Sequence, residues 1–268
     1  MSLFRKKIVL ALGGGAARGL SNIGVLKVLE GHFGREKMPF DMIVGTSIGS
    51  LIGAAYCSGV PVGELERMAL EFNWPGLLDF TLDPTGLIKG GKLEDIIKNM
   101  IGDKTFEGLK VPFALTTTDI QSGEELIHYS GDLIKLIRAS CSWPGFFSSV
   151  EIDGRLLGDG GIRNSIPTKF AYRLGATFVL AVNPGFAVSE KGIDNAFKAL
   201  IQSIQIMGEE LNYYQSKAAD VAVDVEMHDV DQFDFDKSAY IIKAGELAAQ
   251  RMIREIGRKL FLHRMLGI

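Results

Sequence analysis

The sequence predicts an α/β fold with a mostly parallel central sheet. Short apolar, strand-like runs alternate with helical patterns from one end of the chain to the other, and three glycine-marked segments each follow such a run. Alternation of this kind is the pattern of helices layered on a sheet. In open α/β sheets, ligands and reactive groups collect beyond the carboxyl ends of the strands, which makes the three segments the first places to look for a site. No repeat, low-complexity tract or Pro/Ser-rich linker interrupts the alternation, and residues 1–268 read as a single domain.

The elements follow in order. Residues 8–12 form a buried strand and 20–33 a helix with Ile23, Leu26, Val28 and Leu29 among its apolar positions. Residues 42–44 are a short strand, and 48–56 an apolar helix. Pro61 suits the first turn of a helix running to about Phe72, with Leu65, Met68, Ala69 and Phe72 on one face. Residues 74–91, rich in Gly, Pro and Asp, read as a loop, and 93–101 as a helix. Strands are expected at 111–118 and 126–130, a helix at 133–140, and a hairpin over 150–157 that turns at Asp153-Gly154. A strong β-run at 178–182, a long helical stretch at 192–217, a strand at 221–225 and a helix at 240–261 complete the chain.

Composition excludes several classes of function. The net charge is −3 and the basic and acidic residues are interspersed, so there is no footprint for nucleic acid. The basic start, Met1 to Lys7, leads into only five apolar residues before Gly13. A secretory core needs roughly 7–15, so this run is expected to be the first strand. No stretch approaches the ~20 apolar residues of a membrane span. Cys57 and Cys141 supply neither a disulfide framework nor a metal set, and they suit free thiols in a reducing cytoplasm. No cofactor or metal is expected, because no ligand cluster has metal spacing.

The sharpest of the three glycine-marked segments is Gly45-Thr-Ser-Ile-Gly49, between the second strand and an apolar helix. A serine in such an abrupt strand–helix turn stands proud at the helix N-terminus, and small residues on both sides let the chains approach closely. The helix dipole there favours developing negative charge. Ser47 is therefore the candidate nucleophile, with Gly45 and Gly49 in support; the simpler alternative is a serine that only caps the helix.

The second segment is Gly13-Gly-Gly-Ala-Ala-Arg-Gly19. It fails the dinucleotide fingerprint, since Arg18 occupies the last glycine position, and it fails the P-loop, since Leu20 follows Gly19. What remains is a set of backbone amides able to hold an oxyanion at Gly13, Gly14, Gly15 and Ala16, or else a tight strand–helix junction. Arg18 either orients this loop or is solvated. The third segment, Gly158-Asp-Gly-Gly161, presents Asp159 where a strand ends, with Gly160 beside it to allow close approach of another chain segment.

Taken in order, these three motifs resemble the patatin-like phospholipase family, over nearly the whole chain. The likeness extends to Leu136-Ile-Arg-Ala-Ser-Cys-Ser-Trp-Pro-Gly-Phe-Phe147 and to the turn Asn164-Ser-Ile-Pro167. The resemblance implies a three-layer α/β/α fold and hydrolysis of acyl esters of phospholipids or lysophospholipids by a Ser47–Asp159 dyad. It also implies that Ser47 is the nucleophile, Asp159 the base and the Gly13–Gly15 backbone the oxyanion hole, in a compact, cytosolic, bacterial-type member. A carboxylate is a weak base at neutral pH, so Asp159 needs an environment that raises its pKa.

Two rivals stay open. One is a carboxylesterase or thioesterase acting on small acyl esters; the other is an anion- or nucleotide-binding regulatory module built on 13–19. A Ser-His-Asp triad is disfavoured. Of the four histidines, His32, His128, His228 and His263, only the last two fall after Asp159 in permitted order. His228 sits on an acidic loop, and His263 in a basic terminal segment expected to be loosely held. The loops at 74–80 and 143–147 are apolar enough to line an acyl pocket, to touch a membrane surface transiently, or simply to be buried.

Overall fold

Residues 6–186, 188 and 192–266 are described by the computed structural model; residues 1–5, weighed above as a leader, and the side chain of Trp74 lie outside the described residues. The strands run in chain order as β1 (Ile8–Leu12), β2 (Met42–Thr46), β3 (Gly86–Ile88), β4 (Phe113–Asp119), β5 (Glu125–His128), β6 (Gly145–Phe147), β7 (Val150–Ile152), β8 (Arg155–Asp159), β9 (Phe178–Asn183) and β10 (Val221–Asp224). The helices are α1 (Ser21–Phe33), α2 (Ile48–Ser58), α3 (Val62–Leu70), α4 (Gly91–Ile101), α5 (Leu133–Ser140), α6 (Gly161–Asn164), α7 (Thr168–Arg173), α8 (Ala196–Lys217) and α9 (Ser238–Leu266).

One sheet has eight strands in the order β10-β9-β1-β2-β4-β8-β7, with β5 paired to β4. From β10 to β4 every pairing is parallel, while β5, β7 and β8 add antiparallel pairs at one side. The parallel strands are buried on both faces and consequently read as continuous apolar runs. Alternation along β1 divides two cores. Ile8, Leu10 and Leu12 pack with α1, α2 and α9, whereas Val9 and Ala11 face a smaller cluster that includes Ile166 and Ala171 of α7. The result is the expected α/β/α layering.

The α1–α9 seam is unusually close. A Cβ on Gly24 would lie 2.0 Å from the Ile242 carbonyl oxygen, and one on Gly245 would lie 2.1 Å from that of Ser21. Leu26, Leu29 and Ile256 are fully buried along these two helices. Each such side chain stabilises the fold by roughly 1.5–3 kcal/mol relative to exposure.

The structure departs from the sequence expectations in three places. The stretch 74–91 holds a 3-10 turn (Trp74–Leu77) and β3, which pairs in parallel with β6 in a second, two-stranded sheet. Part of the apolar segment 143–147 is thus a strand. Helices α6 and α7 were not anticipated, since four and six residues are too few for a 3.6-residue period to show. The terminal segment around His263 is not loose. It continues α9 to Leu266, and His263 is buried beneath Phe178, hydrogen-bonded through Nε2 to Thr177 Oγ.

Candidate active site

Ser47 occupies the single residue between β2 and α2. Its backbone has φ 54° and ψ −130°, a conformation that residues with a side chain rarely adopt. The flanking glycines are what allow the turn. A Cβ on Gly45 would sit 2.5 Å from the Gly49 carbonyl oxygen, and one on Gly49 would sit 2.3 Å from that of Leu12. The Ser47 N–H is spent on Ser140 Oγ at 2.9 Å, and Ser50 Oγ donates to the Ser47 carbonyl at 2.6 Å. The side chain does not cap α2; its hydroxyl instead donates to Asp159 Oδ2 at 2.6 Å.

Sheet register brings these two residues together. On β4, Thr116 is paired with Thr46 of β2, and the next residue, Thr117, is paired with Asp159 of β8. Because β5 occupies the other edge of β4 at the same positions, β2 and β8 abut end to end along one edge. The residue after Thr46 is therefore delivered beside Asp159. Gly160 makes the junction possible, since a Cβ there would fall 2.2 Å from Thr116 Oγ. Asp159 is 4% exposed; its Oδ1 accepts from the Gly161 N–H at 2.7 Å and its own N–H donates to the Ser142 carbonyl at 2.9 Å. Burial pushes its carboxyl up to about 6, against the opposing pull of the Ser47 and Gly161 hydrogen bonds.

The glycine-rich loop lies against this pair, with Gly14 3.0 Å from Ser47 Cβ when given a virtual Cβ. Its four candidate donors are not equivalent. The Gly13 N–H donates to the Val182 carbonyl at 3.1 Å and the Gly14 N–H to the Ser165 carbonyl at 2.8 Å. These two amides are committed to holding the loop, which corrects the expectation that all four face an oxyanion. Among the described residues, no carbonyl accepts from the amides of Gly15 or Ala16, and both residues have positive φ, 144° and 47°. Both line the same cavity as Ser47.

Arg18 is buried and not solvated. Its guanidinium donates to the carbonyls of Pro184, Gly185, Met227 and Val230, tying the loop to the end of β9 and to the segment before α9. Asn22 fastens the loop from below through the Gly13 and Gly19 carbonyls.

Ser47, Gly15, Ala16 and Asp159 open onto a cavity of about 780 Å³, whose other walls are overwhelmingly apolar, among them Leu51, Leu77, Leu93, Phe146 and Phe233. That volume lies within the range of small-ligand sites. Both apolar loops singled out in the sequence contribute to it, through Leu77 and through Trp143, Pro144, Phe146 and Phe147. Among the described residues no histidine lines the cavity. His128 pairs with Thr117 Oγ on β4, and burial pushes it down to about 4, so it is neutral. His263 packs against Thr177, before β9, at the end of the sheet opposite Ser47, while His228 and His32 are exposed.

Sequence reasoning assigned no role to Ser140, Asn22 or the buried Arg138. Arg138 donates to the carbonyls of Lys89, Gly90 and Ser148 and to Ser142 Oγ, and so fixes the segment from which the Ser142 carbonyl holds Asp159. Arg138-Ala-Ser140 stood inside the family-like segment, but nothing local to it announces these long-range partners.

Fold and site together define a class: a three-layer α/β protein with a serine in a strained strand–helix turn and a buried carboxylate as its partner. The patatin-like phospholipase family model matches residues 10–172, and the chain belongs to that family. Over 186 residues it is 35% identical to neuropathy target esterase sws of Drosophila melanogaster and 37% identical to patatin-like phospholipase domain-containing protein 6 of Homo sapiens. In each case the match covers 66% of this chain and 13% of the relative, so the chain spans only a small part of the length of those proteins. Lysophospholipase NTE1 of Scheffersomyces stipitis is 32% identical over 191 residues, 69% of this chain and 12% of that protein. Two solved structures share the fold. VipD from Legionella pneumophila has a TM-score of 0.54 at 12% identity, covering 93% of this chain and 67% of its own. The type III effector ExoU has a TM-score of 0.53 at 14% identity, covering 93% and 53%.

Proposed function

We propose that the protein hydrolyses carboxylic esters of phospholipids or lysophospholipids with Ser47 as nucleophile and Asp159 as its base. The observation that carries this reading is the 2.6 Å hydrogen bond from Ser47 Oγ to a buried carboxylate at the wall of a large apolar cavity. Ser47 Oγ attacks the acyl carbonyl carbon while its proton passes to Asp159 Oδ2. The amides of Gly15 and Ala16 receive the oxyanion. Each such donor is typically worth ~2.7–4 kcal/mol in acyl transfer. Collapse expels the alcohol, which takes the proton from Asp159. Water, deprotonated by the same carboxylate, then attacks the acyl-enzyme and releases the fatty acid, regenerating Ser47. A carboxyl raised to about 6 is a stronger base than an ordinary aspartate yet is still ionised at neutral pH.

The cavity supports long acyl chains over small esters, since its apolar wall has no purpose for a two-carbon acyl group. The relatives named as a phospholipase and a lysophospholipase support the substrate class. The test is labelling with a fluorophosphonate followed by mapping of the modified peptide. Labelling is expected at Ser47, absent in Ser47→Ala and sharply reduced in folded Asp159→Ala. Undiminished labelling of folded Asp159→Ala would sink the dyad. A series of nitrophenyl esters is expected to show turnover rising with acyl length; a short-chain optimum would favour the small-ester reading.

A further inference from the structure

Helix α8 is inverted relative to an ordinary surface helix. Its inward stripe is largely polar, with Gln205, Asn212 and Ser216 buried alongside Gly208 and with Ile201 and Ile204 part-buried. Its outward stripe is apolar: Leu200, Met207, Leu211 and Tyr214 share one face by helical spacing, and each is between 43% and 62% exposed. Surface helices normally turn the apolar stripe inward, and a contiguous exposed one marks an interaction surface. Met207 and Leu211 also line the cavity that ends at Ser47. Being both exposed and cavity-lining, they form its rim, and stripe and cavity make one apolar path.

Beside this rim, α6 and α7 pack against α8, and Gln215 Nε2 of α8 donates to the Arg163 carbonyl of α6. Arg163, Lys169 and Arg173, all half-exposed, converge on the single carboxylate of Glu125 at 3.3, 2.9 and 3.9 Å. Three cations thus share one anion. On α8 itself Lys198 is paired with Asp194 and the Tyr214 hydroxyl is hydrogen-bonded to the Glu210 carboxylate, so the positive excess beside the stripe is that of α6 and α7. An apolar stripe flanked by cations is the chemistry of a helix that lies on an anionic lipid surface.

We infer that the outward face of α8, with Arg163, Lys169 and Arg173 beside it, docks the protein on an anionic lipid surface so that an acyl ester passes over Met207 and Leu211 into the cavity. The inference rests on the reading of Ser47 as the nucleophile of a lipid hydrolase. A second copy of the chain seated on the stripe would cover the rim and close the route to Ser47, whereas a bilayer supplies the molecule that has to enter.

The experiment is co-sedimentation of the full chain carrying Ser47→Ala, which consumes no lipid, with vesicles of phosphatidylcholine alone and with phosphatidylglycerol added. Binding is expected to the anionic vesicles and to weaken with salt. Leu200 and Tyr214 belong to the stripe but not to the cavity wall. Leu200→Asp/Tyr214→Asp is expected to lower vesicle binding about tenfold, with turnover of a water-soluble nitrophenyl ester by the Ser47-intact double variant within about twofold of wild type. Failure of the Ser47→Ala protein to sediment with either vesicle, or undiminished binding by the double variant, overturns the inference. So does a lipid-free dimer abolished by the same two substitutions, which would assign the stripe to a second copy. Sedimentation reads docking without turnover, and the soluble ester reads the Ser47–Asp159 chemistry without a lipid surface, so failure of one is not failure of the other.

Discussion

Ser47 holds φ at 54° with a side chain attached, and the strain is local to that residue. Such backbone conformations cost on the order of 1–3 kcal/mol. Glycine adopts them freely, at the expense of about 0.5–1 kcal/mol of extra unfolded-state entropy. Ser47→Gly should therefore be more stable than Ser47→Ala by about 1 kcal/mol. Urea denaturation compares them, and a less stable glycine variant would show that the turn is not strained. Asp159 makes a second prediction. Its folded pKa of about 6 lies above the ~3.9 of an unfolded aspartate, so the folded state holds the proton more tightly between those values. Its contribution to stability is complete below about pH 4 and is lost as pH rises through about 6. Asp159→Asn should accordingly unfold at higher urea than wild type at pH 8, with the advantage shrinking toward pH 4. If Asp159 is the base proposed above, ester turnover by wild type should fall as pH drops through about 6, where its carboxylate becomes protonated. A flat pH–rate profile between 5 and 8 would separate Asp159 from the proton transfer. Ser47 and Asp159 were legible in the sequence because each needs glycines at fixed offsets to admit a neighbouring backbone. Ser140 was not, since its bond to the Ser47 N–H spans 93 positions with no local pattern. Nor does any pattern tell that Gly13 and Gly14 give their amides to Val182 and Ser165 while Gly15 and Ala16 do not.

Among elements, the α1–α9 pairing supplies a controlled comparison within one helix. Gly24 has the Ile242 carbonyl 2.0 Å from a virtual Cβ, whereas Gly31 has nothing within 4 Å. Gly24→Ala must push α9 outward and should destabilise by about 1–3 kcal/mol. Gly31→Ala gains helix propensity, up to ~1 kcal/mol, and should be neutral or stabilising. Thermal melts of the two variants check this, and equal shifts would mean that the seam yields easily. Apolar periodicity found the long helices and the buried parallel strands to within a few residues. It passed over β3, β6, α6 and α7, each too short to carry a period. For α8 it gave the helix but not its orientation, because the stripe facing the protein is largely polar; Asn212 on that stripe donates through Nδ2 to Asn183 Oδ1.

At the scale of the whole molecule, strand order was beyond the sequence. Alternating elements imply a parallel sheet, but they do not state that β4 carries β2 and β8 on one edge. That arrangement has a consequence in time. Ser47 and Asp159 are 112 positions apart, and neither β2 nor β8 can present its residue until both have zipped onto the same strand. Contacts of such separation form late, because the chain between them must be ordered first. During refolding from urea, helical circular dichroism should recover before Ser47 reacts with a fluorophosphonate; simultaneous recovery would mean that the sheet closes in one step with the helices. The lag, if found, would make labelling of Ser47 a clock for the last strand to arrive, and under the proposed mechanism a newly made chain would be chemically silent until its fold is complete.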